Sequence, residues 1–399
     1  MKRALLLLLL SVSTLWGQFL PDIPDRLSYA GLFNGTSQYF SKTAPTKMDL
    51  NGSELITVTT TFETDSTGWT NDTFSDYRTT NARAHGGTKS LAFITTGVVL
   101  KPYGQLTTAI SNTSTNKFTT EFWVYVPSTN TQDTVRIGFA NQALGLIEHT
   151  TTKITKGAWK KMVINFAAPG TQTGLKVYPQ LWGYTGASDT LYIDDVSLTQ
   201  AYDGLIVVEY KSSGFTNHGS SRNAVMGRGD AVGGQAQAWA FTYTSANLLE
   251  LFISDGTNSI THAPAINLND NRYHKIVYVL NRTGNSDLYF DGVLRATASA
   301  SSLGKMGAPT TDLFVIGSDA VAARSILGSI AETAFVRYTP LPSDIASWIA
   351  YANTQRFIPE PPGGGTTVLR LFGKENSAYD QSGTQGVLTN TGSTPIIPR

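Results

Sequence analysis

The side chains best suited to ligand chemistry are aromatic and polar residues that share one face of a predicted strand. In residues 175–182 (LKVYPQLW), Leu175, Val177 and Leu181 occupy one parity, as the buried side of a strand requires. The opposite parity turns outward the side chains of Lys176, Tyr178, Gln180 and Trp182. Large aromatic rings on a solvent face mark a binding surface. Rings that stack on sugar C–H faces, with amide groups at their edges, suit glycan recognition.

A second predicted strand, residues 118–127 (FTTEFWVYVP), repeats this pattern. Phe122, Val124 and Val126 share the inward parity, which places the side chains of Glu121, Trp123 and Tyr125 on the other side. Arg136 is likewise out of phase with Val135, Ile137 and Phe139. The candidate carbohydrate-binding residues are Tyr178, Trp182, Gln180, Trp123, Tyr125 and Arg136. The same aromatics could instead pack between two domains, and an open groove or a buried interface would distinguish the alternatives.

Catalytic patterns are absent from the sequence. Glycosidases of sandwich folds commonly use two carboxylates that flank the bond, but no E-x-D-x-E strand occurs, and residues 63–65 lack the third acid. Alternation sends Asp194 and Asp195 to opposite faces. The five histidines show no metal-binding spacing, and no G-x-S-x-G motif is found. We therefore expect no catalytic residues and no enzymatic activity.

The elements that carry these residues read as β-strands. Short alternating runs are separated by turn pairs such as Asp291-Gly292 and Gly86-Gly87. One helix is predicted over residues 342–353, because Ile345, Trp348, Ile349 and Ala352 recur at helical spacing after a capping Ser343 or Asp344. The pattern predicts an all-β protein of two jelly-roll sandwiches, the second inserted into the first.

The insertion is predicted from two bracketing segments. Residues 62–69 (FETDSTGW) and 192–199 (YIDDVSLT) read as the first and last strands of one sandwich, and Gly-containing turns at 50–52 and 202–204 mark the two crossings. The predicted domains are a discontinuous sandwich over 28–52 and 203–358, an inserted sandwich over 53–201, a linker over 359–366 and a C-terminal strand segment over 367–399.

Composition and the N-terminal segment indicate the cellular compartment and exclude some classes of binding partner. With 399 residues and a net charge of +1, the chain lacks the basic excess that nucleic-acid binding needs. Lys2 and Arg3 precede an apolar run and a small residue at Gly17, which predicts a signal peptide over residues 1–17. No later apolar run is long enough to span a membrane. We expect an exported protein that is extracellular or on a cell surface. Because the chain has no Cys, its stability must come from large sandwich cores rather than from disulfides.

In the outer sandwich, residues 32–40 (LFNGTSQYF) and 271–278 (NRYHKIVY) carry a family pattern. They are similar to the opening strand and to the W-H-x-V strand of the LamG-like, concanavalin A-like jelly rolls, with Tyr273 in the Trp position. Residues 287–294 (DLYFDGVL) are similar to their L-Y-V-D-G hairpin. Residues 314–318, 327–332 and 338–345 resemble the closing strands and the terminal helix. The resemblance covers about residues 30–50 and 203–358 and implies a lectin-like fold.

The inserted sandwich carries its own family pattern, in Phe62-Glu63, the Gly86-Gly87-Thr88-Lys89-Ser90-Leu91 turn and residues 193–198 (IDDVSL). These segments resemble those of carbohydrate-binding modules of the family 4/9 type. The resemblance implies a structural Ca²⁺ held by the carboxylates of Glu63 and Asp194 and by backbone oxygens near Lys89, a ligand set that suits calcium. Alternation places Asp194 in phase with Val196, so we expect it to point inward. Without metal, it would accept hydrogen bonds at a strand end.

The C-terminal segment has two possible roles. Residues 368–390 resemble the D-x-S-G-x-x-G-x-L-T stretch that precedes the opening strand in LamG-like proteins. It could complete its own sandwich, or pair with a neighbouring protein at an open edge. The expected function is non-catalytic, lectin-like binding of polysaccharide or surface glycan. The alternative is a structural or cell-adhesion protein of an extracellular or virion surface, whose sandwiches serve protein contacts.

Overall fold

The computed structural model gives the fold of most of the chain. The residues that it describes are 29–34, 39–43, 51–56, 61–71, 75–96, 99–100, 104–106, 110–112, 117–140, 146–167, 172–186, 188–214, 222–228, 238–246, 248–306, 313–318, 326–355, 358–372, 389–391 and 396–398. They are mainly β-strands with one short helix, which confirms the predicted all-β class. The predicted signal peptide lies outside the described residues.

The first sixteen strands run from the first described residues to the middle of the chain. They are β1 (Tyr29–Asn34), β2 (Tyr39–Thr43), β3 (Asn51–Glu54), β4 (Trp69–Asn71), β5 (Ser75–Thr80), β6 (Ser90–Thr95), β7 (Val99–Leu100), β8 (Gly104–Leu106), β9 (Ile110–Asn112), β10 (Lys117–Tyr125), β11 (Thr134–Ala140), β12 (Leu146–Lys153), β13 (Trp159–Ala167), β14 (Gln172–Leu181), β15 (Tyr184–Thr185) and β16 (Thr190–Ala201).

The remaining elements lie in the second half of the chain. They are β17 (Asp203–Gly214), β18 (Arg222–Arg228), β19 (Ala238–Thr244), β20 (Leu249–Ser254), β21 (Ser259–His262), β22 (His274–Leu280), β23 (Asn285–Phe290), β24 (Val293–Ser299), β25 (Leu313–Ile316), β26 (Leu327–Tyr338), the helix α1 (Ile345–Thr354), β27 (Gly365–Phe372), β28 (Thr389–Thr391) and β29 (Ile396–Pro398).

Two large antiparallel sheets form what we call the flanking sandwich, because its strands come from both sides of the central third of the sequence. One sheet has the order β24-β23-β22-β17-β26-β1-β29, with β27 also paired to β26, and the other has the order β21-β20-β19-β18-β25-β2-β28. One apolar core lies between them and draws on both sheets, with Tyr210 and Tyr278 from the first and Phe241 and Phe314 from the second.

Two further sheets form the central sandwich. A six-stranded sheet has the order β13-β10-β16-β6-β5, with β3 paired to β16, and a four-stranded sheet has the order β12-β11-β14-β9. Phe122 and Ile193 from the first sheet meet Ile137 and Val177 from the second in a separate core. An insertion of one sandwich into the other would give this pairing; the domain boundaries themselves stay a prediction.

The predicted opening strand of the central sandwich is wrong. Residues 62–69 are not a strand until Trp69, where β4 begins, and β3 is the early segment that pairs with β16. Phe62 has a left-handed backbone with φ of 57°, which breaks an extended strand, although its ring is fully buried in the core. The predicted closing segment, residues 192–199, is part of β16 as expected.

The helix and the C-terminal segment complete the flanking sandwich. α1 begins three residues later than predicted, and Asp344 makes no side-chain capping bond, contrary to expectation. Trp348, Ile349 and Ala352 pack on the outer face of the first large sheet. β27 begins at Gly365, inside the predicted linker, and pairs with β26; β28 and β29 pair with β2 and β1 of the same chain.

The two sandwiches meet through buried polar side chains, which we call the junction. Lys117 of β10 forms an ion pair with Asp203 at 2.7 Å, and its Nζ also donates to Asn281. The guanidinium Nη2 of Arg282, a fully buried residue, donates to Thr119 and to the backbone oxygen of Leu303. Charges removed from water must be paired to be tolerated, so these contacts define how one sandwich sits on the other.

A second part of the junction lies farther along β10. The Nζ of Lys161 lies 3.1 Å from Glu121 and 3.8 Å from Asp255 of the flanking sandwich. The backbone N–H groups of Lys305 and Gly304 donate to Glu121 and Asp255. A Cβ at Gly304 would collide with the Glu121 carboxylate, so this close approach requires glycine.

Candidate functional site

The structure separates the predicted sugar-binding residues into two groups. Trp123 and Tyr125 lie on β10 of the six-stranded sheet, whereas Arg136 on β11 and the group around Tyr178 on β14 belong to the four-stranded sheet. The inward residues of both sheets fill the core between them. The two groups therefore face opposite sides of the central sandwich and cannot line one groove.

On the four-stranded sheet, outward parity does not bring solvent exposure. Tyr178, Gln180 and Arg136 have the predicted phase, but their exposed fractions are 5%, 7% and 9%. The Tyr178 ring lies over Gly138, where an added Cβ would come within 2.8 Å of it. Burial raises the pKa of Tyr178. The expectation that these side chains are exposed was wrong, since all three are buried.

The half-buried Trp182 is covered on one ring face. The guanidinium carbon of Arg136 lies 3.0 Å from the centre of the Trp182 ring, and the Nε of Arg136 donates to Thr151 at 3.1 Å. Cation–π contact of this kind uses the ring face that a sugar would otherwise cover. On this sheet the predicted polar and aromatic residues do lie together, but Arg136 contacts Trp182 rather than leaving the ring face to a ligand.

On the six-stranded sheet, a different cluster forms. We call it the aromatic platform and define it by His85, Trp123, Tyr125, Trp159 and Tyr192. In the antiparallel register, Tyr125 lies opposite Trp159 on one side and opposite Tyr192 on the other. The ring centroids are 5.6 Å and 5.8 Å apart in these two pairs. Directly opposite residues share a face, so three strands contribute to one aromatic surface.

Trp159 contacts two other platform rings without stacking on either. It is half-buried, and its neighbours meet it at an angle: His85 at 69° and Tyr125 at 52°. Neither ring lies parallel over the indole, in contrast to Trp123, on which His85 stacks. The sequence interpretation missed Trp159. Its signal was the same alternation, since Met162, Ile164 and Phe166 face the core and turn Trp159 outward.

The turn that carries His85 lies across the outer face of the six-stranded sheet. The backbone N–H groups of His85 and Gly86 donate to the Asp194 carboxylate at 2.9 and 3.2 Å. The His85 ring forms a 2.7 Å contact with Asp195. Arg83 lies over Tyr125, with its guanidinium carbon 5.3 Å from the ring centre. Charged and hydrogen-bonding groups thus border the platform.

The predicted direction of Asp194 is wrong. β16 bulges at Asp195, which has a φ of 45°, and the register with β10 shifts between Glu121 and Trp123. The extra residue changes the alternation, so Asp194 lies opposite Trp123 on the outer face while Val196 points into the core. Asp194 is still fully buried beneath the 83–89 turn, and this burial raises its pKa to about 6.

The described geometry does not fit a calcium ion at the predicted ligands. Glu63 accepts bonds from the backbone N–H groups of Lys89 and Thr88 and from the Thr88 hydroxyl, and these bonds lower its pKa. At Lys89 an N–H donor, rather than an oxygen, faces Glu63. Such donors occupy the oxygens that a cation needs. Among the described residues, no three His, Asp or Glu side chains are placed to hold a metal. The calcium that the resemblance implies has the status of a prediction, and these contacts argue against it.

One family model matches part of the flanking sandwich. Residues 215–346 match the model of the concanavalin A-like lectin/glucanases superfamily. The concanavalin A-like match spans β18 to β26 and the start of α1, and it confirms the resemblance inferred from the sequence for these residues. It contains the 255–258 turn and the 301–306 segment, both of which contact the central sandwich.

Solved structures add weak likenesses. An arabinose-bound GH51 α-L-arabinofuranosidase is similar at 15% identity and a TM-score of 0.30, covering 43% of this chain and 27% of that one. The CBM40 of a Ruminococcus gnavus IT-sialidase, bound to α2,6 sialyllactose, has 16% identity and a TM-score of 0.30, covering 37% and 83%. A CBM22-1 xylan-binding domain from Paenibacillus barcinonensis has 16% identity and a TM-score of 0.29, covering 38% and 96%. No curated protein matches the sequence.

A membrane-spanning helix is not found in the part of the chain that the structure describes. α1, with ten residues, is far shorter than a bilayer requires.

Proposed function

We propose that this protein is an exported, non-catalytic glycan-binding protein and that the aromatic platform is its binding surface. The observation that carries the proposal is the half-buried Trp159 ring beside Tyr125 and Tyr192, with charged groups at the edge of the cluster. A sugar ring would stack its C–H face on Trp159, and its hydroxyls would bond to His85 and Asp195.

Two features favour the platform over the four-stranded sheet. The ring of Trp182 is covered by Arg136, and Tyr178 is nearly inaccessible. The Trp159 ring is half-buried and is met at an angle by His85 and Tyr125, so neither of these two rings covers its face. The concanavalin A-like match of residues 215–346 supports the lectin class in the flanking sandwich as well. Export rests on the predicted signal peptide.

The test is a glycan array probed with the purified mature chain and with two tryptophan variants. Trp159→Ala should lose at least about tenfold in affinity, because a few aromatic residues commonly contribute most of the binding free energy. Trp182→Ala is the matched control and should bind like the unaltered protein. If Trp182→Ala abolishes binding and Trp159→Ala does not, the site is on the other sheet. No binding to any glycan would favour the structural or adhesive alternative.

A further inference from the structure

The platform ends where the flanking sandwich begins. Glu121, Trp123 and Tyr125 share one face of β10, and Glu121 is in the junction while Tyr125 is in the platform. Four residues of strand separate them by roughly 13 Å. Lys161 lies opposite Trp123 in the register, and its Nζ is 3.8 Å from Asp255 of the flanking sandwich. The 255–258 turn is therefore one lysine side chain away from the platform.

This turn is held rigidly by Asp255. The Asp255 carboxylate accepts bonds from the backbone N–H groups of Thr257 and Asn258, each at 2.7 Å, and from the Asn258 amide at 3.1 Å. Asp255 itself is buried, whereas Gly256 and Thr257 are exposed at the tip. The turn thus presents polar groups in fixed positions. A mobile loop would lose conformational entropy when it binds a ligand, which lowers affinity, whereas this turn avoids that loss.

The 301–306 segment of the flanking sandwich is anchored at the same place. Asn165 of β13 donates through its amide to the backbone oxygens of Ser301 and Leu303, at 2.9 and 2.7 Å. The N–H of Met306 donates to Asn51 at 2.7 Å. Ser301 and Ser302 remain exposed. The exposed hydroxyls of Thr257 and Ser301 thus belong to loops that the junction holds against the six-stranded sheet.

We propose that the ligand surface continues from the aromatic platform across the junction onto the 255–258 turn. The ligand is then an oligosaccharide chain: one end stacks on Trp159 and the other bonds to the exposed groups of the turn. A span of roughly 13 Å along β10 exceeds a single sugar ring. This inference rests on the proposed function, and it assigns part of the binding to the concanavalin A-like sandwich.

The test compares short and long ligands by calorimetry. The probes are cello-, xylo- and manno-oligosaccharides, each as the disaccharide and the hexasaccharide. Thr257→Trp fills the space beside the turn at an exposed position. It should weaken hexasaccharide binding at least about tenfold and leave the disaccharide unchanged. Ser347→Trp, on the exposed side of α1 across the flanking sandwich, is the control and should change neither.

A second measurement does not depend on any substitution. Hydrogen exchange of the unaltered protein should show the hexasaccharide, but not the disaccharide, protecting amides of residues 254–260. If Thr257→Trp binds the hexasaccharide normally and residues 254–260 gain no protection, while Trp159→Ala loses binding, the inference fails and the proposed function stands. If the unaltered protein binds neither these probes nor any glycan of the array, both proposals fail.

Discussion

The imidazole of His85 stacks on the indole of Trp123, with ring centroids 3.6 Å apart and planes inclined by 15°. The pair joins the 83–89 turn to β10, and the contact of His85 with Asp195 holds the imidazole in place. One face of Trp123 is consequently covered by the protein itself. Trp159, in the same cluster, is met only at an angle by His85 and Tyr125, and it is the ring on which the proposed ligand would stack.

Removal of this imidazole should uncover Trp123. We expect His85→Ala to raise the Stern–Volmer constant for acrylamide quenching of tryptophan fluorescence, because the indole loses the ring that shields it. His149→Ala, at an exposed position on β12, is the matched control and should leave quenching unchanged. Equal quenching in His85→Ala and the unaltered protein would contradict the stacked arrangement.

Arg282 should be essential to the stability of the junction. Arg282→Met leaves the Thr119 hydroxyl and the Leu303 and Gly304 carbonyls without their donor and removes a cation from among Glu121, Asp255 and Asp203. Breaking a buried charge network costs about 3–5 kcal/mol. Urea unfolding should show a loss of this size.

The control for this variant is Arg272→Met, at an exposed position. It should change the free energy of unfolding by no more than about 0.5 kcal/mol. A loss at Arg282→Met as small as that of the control would mean that the guanidinium does not hold the sandwiches together.

His274 should make stability depend on pH. Burial alone lowers its pKa, but hydrogen bonds to Asp291 at 2.7 Å and Asp270 at 2.9 Å outweigh burial and raise it. The stabilisation is fully present below the unfolded pKa of about 6.5 and is lost as pH rises through the higher folded pKa. The melting temperature should fall over that range.

The comparison that isolates this effect is His274→Gln against His149→Gln. In His274→Gln the fall in melting temperature above neutral pH should be reduced, and in His149→Gln it should match the unaltered protein. Parallel curves for all three proteins would show that the two carboxylates do not retain a proton on His274.

Calcium should have little effect on the thermal stability of the 83–89 turn. Since N–H donors face both Glu63 and Asp194, we expect the melting temperature after treatment with a chelator to equal that in millimolar CaCl₂. Glu63→Gln should destabilise the protein modestly in either condition, because one carboxylate oxygen is replaced by a donor facing Thr88 or Lys89. A calcium-dependent rise in melting temperature that disappears in Glu63→Gln would instead establish the predicted site.

Strand alternation predicted the local direction of most candidate residues. The outward phase of Trp123, Tyr125 and Tyr178 agrees with the structure, because successive side chains of a strand face opposite sides. The rule failed at Asp194, where the bulge at Asp195 inserts one residue. A bulge depends on how two strands pair, so alternation within one strand cannot reveal it.

Exposure was harder to predict than direction. Tyr178 faces outward and is nevertheless 5% exposed, since its ring fills the space above Gly138 on the adjacent strand. The approach of Gly304 to Glu121 joins residues more than 180 positions apart. Neither relation leaves a periodic signal in the sequence.

By itself, the sequence determined the all-β class, the Asp291-Gly292 hairpin and which side of each strand is apolar, because turn chemistry and alternation are local properties of the chain. The tertiary structure alone decided that Trp123 and Tyr178 lie on opposite sheets, that Trp159 joins Tyr125 and Tyr192, and that Arg282 is buried between two sandwiches. These relations arise from the pairing of strands far apart in the chain, which only the packed cores select.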